Sequence, residues 1–164
     1  TTHIQQAREL YEATLREERM FVPAWARLGR CYRVSGKFAQ VGADAQASFT
    51  QAQRAFERAL AIDPSSPLAH NLLAQLEVDL GHAHDAMARL IGRAHVADPE
   101  LLAGLVSACR YCGLLDASVA AHERAVDLDP KIRTSVAHTW FLQADYARVA
   151  TARLLARSAA VARP

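Results

Sequence analysis

Two cysteines three residues apart, Cys109 and Cys112, have half the spacing of a zinc ribbon. No second cysteine or histidine pair follows at the expected distance, and the remaining cysteine, Cys31, lies far away in the chain. Residues three apart on a helix share a face, so the expectation is a pair of packed thiols, with a redox pair and a metal pair as the alternatives. His82, His84 and Asp85 also carry ligand-type atoms, but they follow Gly81 in what reads as a solvated turn. His70, His122 and His138 fall on helix faces at or near core positions, where a lone imidazole is expected to be packed and hydrogen-bonded. The chain contains no Gly-x-Ser-x-Gly elbow, no glycine-rich phosphate loop and no His-Glu-x-x-His. We therefore expect no catalytic residue, no metal, no cofactor and no enzyme activity. Arg148, Arg153, Arg157 and Arg163 make the C-terminal segment basic, with Val149, Leu154, Leu155 and Val161 interleaved and expected on the preceding helix, or in part as an apolar stripe open to a following repeat. A solvated face of a terminal helix is the expected reading of those arginines, with acidic phospholipid or nucleic acid as the alternative.

Composition says what must position these residues. The 164 residues are 51% hydrophobic and 22% charged, the range of a soluble globular domain. Seven glycines and six prolines are too few for the turns of a sandwich or barrel, whereas Ala, Leu, Arg and Glu favour helices, so an all-α fold follows. No apolar run approaches the roughly 20 residues needed to span a bilayer, and the polar start is unlike a signal peptide; the expectation is a cytoplasmic chain with no membrane partner. Net charge is +2, yet residues 1 to 130 hold 13 basic and 16 acidic side chains and residues 131 to 164 hold 6 and 1. Seventeen of the 19 cations are Arg, but they are spread along the chain with few aromatics beside them, so no nucleic-acid partner is expected.

The order along the chain is periodic. Asp63-Pro64, Asp98-Pro99 and Asp129-Pro130 are 35 and 31 residues apart, and each follows an apolar phrase that looks like a helix end. Between them, Gly81 and Gly113 close two further apolar-periodic runs, as a left-handed C-terminal residue would. Two helices in every 31 to 35 residues make a helix-turn-helix repeat.

The most specific stretch is Trp25-x2-Leu28-Gly29-x2-Tyr32, continued by Ala52-x3-Phe56-x2-Ala59-x4-Pro64. Trp25, Leu28 and Tyr32 share one helix face, Gly29 admits a partner helix, and Ala52 and Ala59 make room for Phe56. Both halves resemble the signature of the tetratricopeptide repeat (TPR). His70, Leu73, Ala74 and Glu77, then Ala86 and Leu90, form a degenerate second copy; Leu102, Leu105, Val106 and Cys109, then Ser118, His122 and Ala125, form a third. Between Tyr32 and Ala52 the chain has about eleven residues more than a standard repeat, expected as an extended loop or lengthened helices, or as a contact element. The division is one TPR-like domain over 1–164: 1–20 as the second helix of a partial repeat, 22–64 with its insertion near 37–51, 67–99, 100–130, and a terminal repeat or cap over 131–164.

The resemblance implies a right-handed α-solenoid of antiparallel helix pairs, with the first helix of each pair lining a concave groove. It implies a protein-interaction module whose partner is a protein or peptide segment. The groove positions that avoid the core signature are Arg30 and Arg33 on one helix, Asn71, Gln75 and Asp79 on the next, and Ser107, Arg110 and Tyr111 on the third. The Lys and Asn clamp by which chaperone-binding members grip a terminal carboxylate falls here on Ala26, Arg30, Leu72, Glu100 and Gly104, so that clamp is not expected. The alternative is a self-association or regulatory scaffold segment of a larger bacterial signalling protein, a possible homo-oligomer. Incomplete motifs at both ends and a start without Met point to a piece of something longer.

Overall fold

A computed structural model describes residues 2–39, 43–93, 97–151 and 154. Among them there is no strand. The helices are α1 (Thr2–Glu17), α2 (Val22–Phe38), α3 (Ala43–Ile62), α4 (Pro67–Asp79), α5 (Ala83–Ile91), α6 (Pro99–Tyr111), α7 (Leu115–Leu128) and α8 (Val136–Leu142). Residues 146–151 are helical again.

Local chemistry sets the breaks. Gly81 and Gly113 have φ of +88° and +78° and end α4 and α6; after α8 the same left-handed turn is taken by Ala144, at φ +58°. Pro67 and Pro99 stand in the first turns of α4 and α6, where the missing N–H is not needed. α3 and α7 stop directly before Asp63 and Asp129, as the Asp-Pro pattern predicts. Asp98 acts differently: its carboxylate caps α6, accepting from the N–H groups of Glu100 at 2.8 Å and Leu101 at 3.3 Å. α5 has already ended at Ile91, and Ala94, His95 and Val96 of the phrase before Asp98 lie outside the described residues.

Each helix packs on its successor. In addition α2 packs on α4, α4 on α6 and α6 on α8, whereas among the described residues α3 does not reach α5, nor α5 reach α7. Even-numbered helices therefore form the tighter layer, and the stack curves with that layer on its concave side. The extra residues after Tyr32 lengthen helices, since α2 has 17 residues and α3 has 20; positions 40 to 42 between them lie outside the described residues. Phe49 of the extension is half-buried against the same core as Phe56.

The first core is built around Phe56, which is fully buried among Ala26, Ala52, Ala59 and Ala69. Trp25 is only half-buried at its edge, because its indole N–H reaches out to the carbonyl of Arg19, 2.8 Å away. Ala74, Ala86, Leu90, Leu101 and Leu105 make the second core. Of the apolar residues near the C-terminus, Val149 is buried, as packing on the preceding helix requires, and Leu154 is exposed, as an apolar stripe would leave it. Leu155 and Val161, like Arg153, Arg157 and Arg163, lie outside the described residues.

Candidate functional site

The cysteines are packing groups. Cys109 sits in the second core beside Leu105 and Ala108, Cys112 packs half-buried against it, and Cys31 is buried on α2. Burial pushes all three thiols above their ordinary range, which disfavours the thiolate that metal binding and redox exchange require. Among the described residues no group of three or more His, Cys, Asp or Glu side chains is arranged to hold a metal.

The histidines separate into kinds. His70 is buried on α4: one ring nitrogen, Nε2, lies 2.9 Å from the carbonyl of Pro64, and the other, Nδ1, lies 2.9 Å from Arg89 Nη1. A carbonyl only accepts and a guanidinium only donates, so His70 carries its proton on Nε2 and is held neutral. Burial is the main cause that lowers its pKa, with Arg93 and Arg89 adding to it and the Pro64 carbonyl opposing. His122 is half-buried, lies 2.9 Å from the hydroxyl of Thr134, and stands edge-on to Trp140; burial lowers its pKa too. His138 departs from the expectation of a packed group, being exposed on α8 with its side chain on the concave face. His82 stands at the N-cap of α5 after the turn, whereas His84 and Asp85 lie in the first turn of α5 and not in the inter-helix turn the sequence suggests; all three are exposed, with His82 Nδ1 3.8 Å from the Asp85 carboxylate.

The concave side holds a cleft of about 740 Å³ whose walls come from α2, α4, α6, the 133–135 turn and α8. Of the eight groove residues the sequence suggests, six line it: Arg33, Gln75, Asp79, Ser107, Arg110 and Tyr111. Two do not. Arg30 lines a separate cavity between α1 and α2, with Ile4, Tyr11 and Cys31. Asn71 is buried, donating to Glu100 at 2.6 Å and accepting from Gln75 at 3.0 Å. Both miss for the same reason: helix periodicity fixes a side chain's direction, but which neighbour fills that direction depends on how the helices stack.

The two ends of the cleft differ electrostatically. At the α2–α4 end, the Asp79 carboxylate accepts from Arg33 Nη1 at 2.5 Å and from Lys37 Nζ at 2.7 Å, and Arg33 Nη2 donates to Gln75 at 2.9 Å. These cations are already answered, and the bridge ties α2 to α4. At the α6–α8 end, Arg110 is held by neutral oxygens: Nη1 donates to the Ser135 carbonyl and hydroxyl, both at 3.0 Å, and to Thr139 Oγ1 at 3.5 Å, and Nη2 donates to Ser107 at 3.4 Å. Its guanidinium carbon lies 5.3 Å above the Tyr111 ring. Beneath it, Ser118 donates to the Val106 carbonyl at 2.6 Å, so the Thr139 hydroxyl, 2.8 Å from Ser118, gives its hydrogen to Ser118 and turns a lone pair toward Arg110. Desolvation pulls the Arg110 pKa below its ordinary value, with Tyr111 opposing. Among the described residues no carboxylate pairs with Arg110.

Large apolar side chains stand exposed around this space, Phe38 at one end and Tyr111, Phe141 and Leu142 at the other. Phe38, Phe141 and Leu142, with Lys37, Arg133 and His138, are among the cleft residues that sequence reasoning missed. Phe38 belongs to the lengthened part of α2, and Phe141, Leu142 and His138 to a helix with no clear repeat signature, so no motif register pointed to them.

The family model described as "Tetratricopeptide repeat" matches residues 45–109. Among solved structures, a thermophilic TPR protein of Thermus thermophilus, TTC0263, is 19% identical with a TM-score of 0.69, over 92% of this chain and 74% of that one. A chain of the APC/C hetero-tetramer Cut9–Hcn1 is similar at 17% identity and a TM-score of 0.63 over 90% of this chain; the match spans 29% of the length of that chain. None of the curated protein sequences matches.

Proposed function

We propose that this chain, whose residues 45–109 are tetratricopeptide repeats and whose fold is the solenoid of that family, is a protein-interaction module that holds a peptide or protein segment in its concave cleft. The observation that carries this reading is the cleft itself. Phe38, Phe141 and Leu142 stand 80%, 58% and 59% exposed around a polar floor that is already hydrogen-bonded. Large apolar side chains gathered in a concavity mark a surface meant to be covered. Arg33 and Asp79 act here as a brace between α2 and α4, and Arg110, Tyr111, Phe38 and Phe141 supply the contact surface.

A photo-crosslinking amino acid at Tyr111 or Phe141 tests the assignment in cells that make the protein. Crosslinking to one defined protein from these positions, and not from Arg124 on the outer helix α7, supports it. Equal crosslinking from both faces would overturn it.

A second reading, self-association of a scaffold segment, draws on Leu10, Met20 and Phe21, which are 68%, 60% and 40% exposed at the first end of the stack. Under it, replacing Leu10 and Met20 by Glu lowers the mass measured by light scattering at high concentration. A mass that stays at one chain with either sequence would remove this reading.

A further inference from the structure

The cleft carries more positive charge than its own residues answer. Arg33, Lys37, Arg110 and Arg133 line it with one carboxylate, Asp79, which is already shared by Arg33 and Lys37. That leaves Arg110 and Arg133, with the exposed imidazole of His138 beside them, and no acid among the cleft residues to meet them. Arg110 is the sharper of the two. It is half-buried, its guanidinium is set by the Ser135, Thr139 and Ser107 oxygens and by the Tyr111 ring, and every one of those partners is neutral. A guanidinium withdrawn from water without a counter-charge gains most from a carboxylate, which it meets through two parallel hydrogen bonds.

Resting on the groove reading above, we infer that the occupant is an acidic peptide segment, which sets a side-chain carboxylate on Arg110 and lays adjacent apolar side chains on Phe141 and Leu142. One half-buried cation with one exposed neighbour matches a monoanionic carboxylate better than the dense charge of a nucleic-acid backbone, which draws on many cations at once. Tyr111, Phe38 and Phe141 are rings on which a base can stack, so the count of cations, and not the rim, sets the two occupants apart. A segment alternating Glu or Asp with Leu or Phe meets both the charge and the rim. This is a different arrangement from a terminal-carboxylate clamp, since it uses the last turn of α6 and the turn before α8 and needs no free chain end.

The test uses fluorescein-labelled, twelve-residue peptides with blocked ends, built from Glu alternating with Leu and Phe in a panel of spacings, each with a counterpart carrying Gln for Glu. Fluorescence anisotropy on the full chain is expected to show at least one acidic peptide binding about tenfold tighter than its Gln counterpart, a gap that narrows as salt rises. Arg110→Gln should bring the acidic peptide to the affinity of the Gln peptide while leaving the latter within about twofold. Arg133→Gln, at an exposed site, should weaken the acidic peptide by about two- to threefold, and Arg30→Gln should change nothing. If Arg110→Gln fails to fold, Arg110→Lys keeps the charge without the fork and should lose most of the acidic preference. Equal affinity for acidic and Gln peptides, an Arg30→Gln loss equal to that of Arg110→Gln, or a single-stranded oligonucleotide that binds as tightly as the acidic peptide would each overturn the inference. A cleft that crosslinks to a partner but binds none of the acidic peptides overturns the acidic occupant and leaves the groove reading standing.

Discussion

The first and second helix pairs solve one packing problem with different residues. In the α2–α3 pair, the residue facing the partner helix is Gly29, and Phe56 fills the space; a Cβ at Gly29 would lie 2.5 to 2.8 Å from three atoms of that ring. In the α4–α5 pair the equivalent position is Ala74 and the equivalent filler is Leu90, both fully buried in one core. The added methyl on one side is matched by a smaller side chain on the other. The signature's outer positions change in concert. Trp25 and Tyr32 become His70 and Glu77, and Arg89 from α5 joins them, donating to Glu77 through Nε at 3.3 Å and Nη2 at 2.5 Å and to His70 at 2.9 Å. A degenerate repeat is thus a second self-consistent set, with volume compensated within the pair and two aromatics replaced by a hydrogen-bonded polar network.

The largest expected effect removes the filler. Phe56→Ala should lower stability by about 3–5 kcal/mol, measured by urea unfolding, because the ring is fully buried between helices held apart by its own size. A loss below about 1 kcal/mol would mean that the helices close over the gap and that the pair is not rigid.

Exchanging the two solutions sharpens the comparison. Gly29→Ala alone should destabilise by about 1–3 kcal/mol through overpacking, less about 1 kcal/mol gained in helix propensity. Gly29→Ala together with Phe56→Leu recreates the second pair's combination inside the first and should be more stable than the sum of the single changes allows. Strict additivity in that double-mutant cycle would refute the volume-matching account.

The polar network separates the two pairs by pH. His70 is held neutral, with its folded pKa below the ordinary value, so its contribution is complete above about pH 6.5 and is lost as pH falls through the lower folded value. His122 acts in the same direction. The melting temperature should therefore fall between about pH 7 and pH 5, and His70→Phe, which restores an aromatic at this position, should flatten part of that fall. A melting temperature independent of pH over this window in the unaltered chain would show that neither imidazole is held neutral.

The smallest effect concerns the turn after α8. Ala144 takes the left-handed conformation that Gly81 and Gly113 supply after α4 and α6. Left-handed backbone costs a residue with a Cβ about 1–2 kcal/mol, and glycine gives back about 0.5–1 kcal/mol through the freedom of the unfolded chain. Ala144→Gly should raise stability by about 0.5–1 kcal/mol, read as a higher midpoint in urea; a lower midpoint would show that the turn is relaxed with alanine.

What the sequence determined by itself is whatever recurs locally. The Trp25-to-Tyr32 and Ala52-to-Pro64 phrases, the Asp-Pro pairs and the two glycines carry the helix pairs, because propensity, capping and 3.6-residue periodicity act within a few residues of chain. The packed fate of Cys109 and Cys112 was legible on the same ground, as was the placing of Arg33, Gln75, Ser107 and Arg110 along the inner helices. What only the tertiary structure decided is which of these side chains remain available. Arg33 and Arg110 are both groove arginines by spacing. Asp79 reaches Arg33 across 46 residues of chain, whereas the oxygens that reach Arg110 from Ser135 and Thr139 are neutral. Charge on a residue is a local property; its compensation depends on which helices the stack brings side by side, and no periodicity in the chain encodes that.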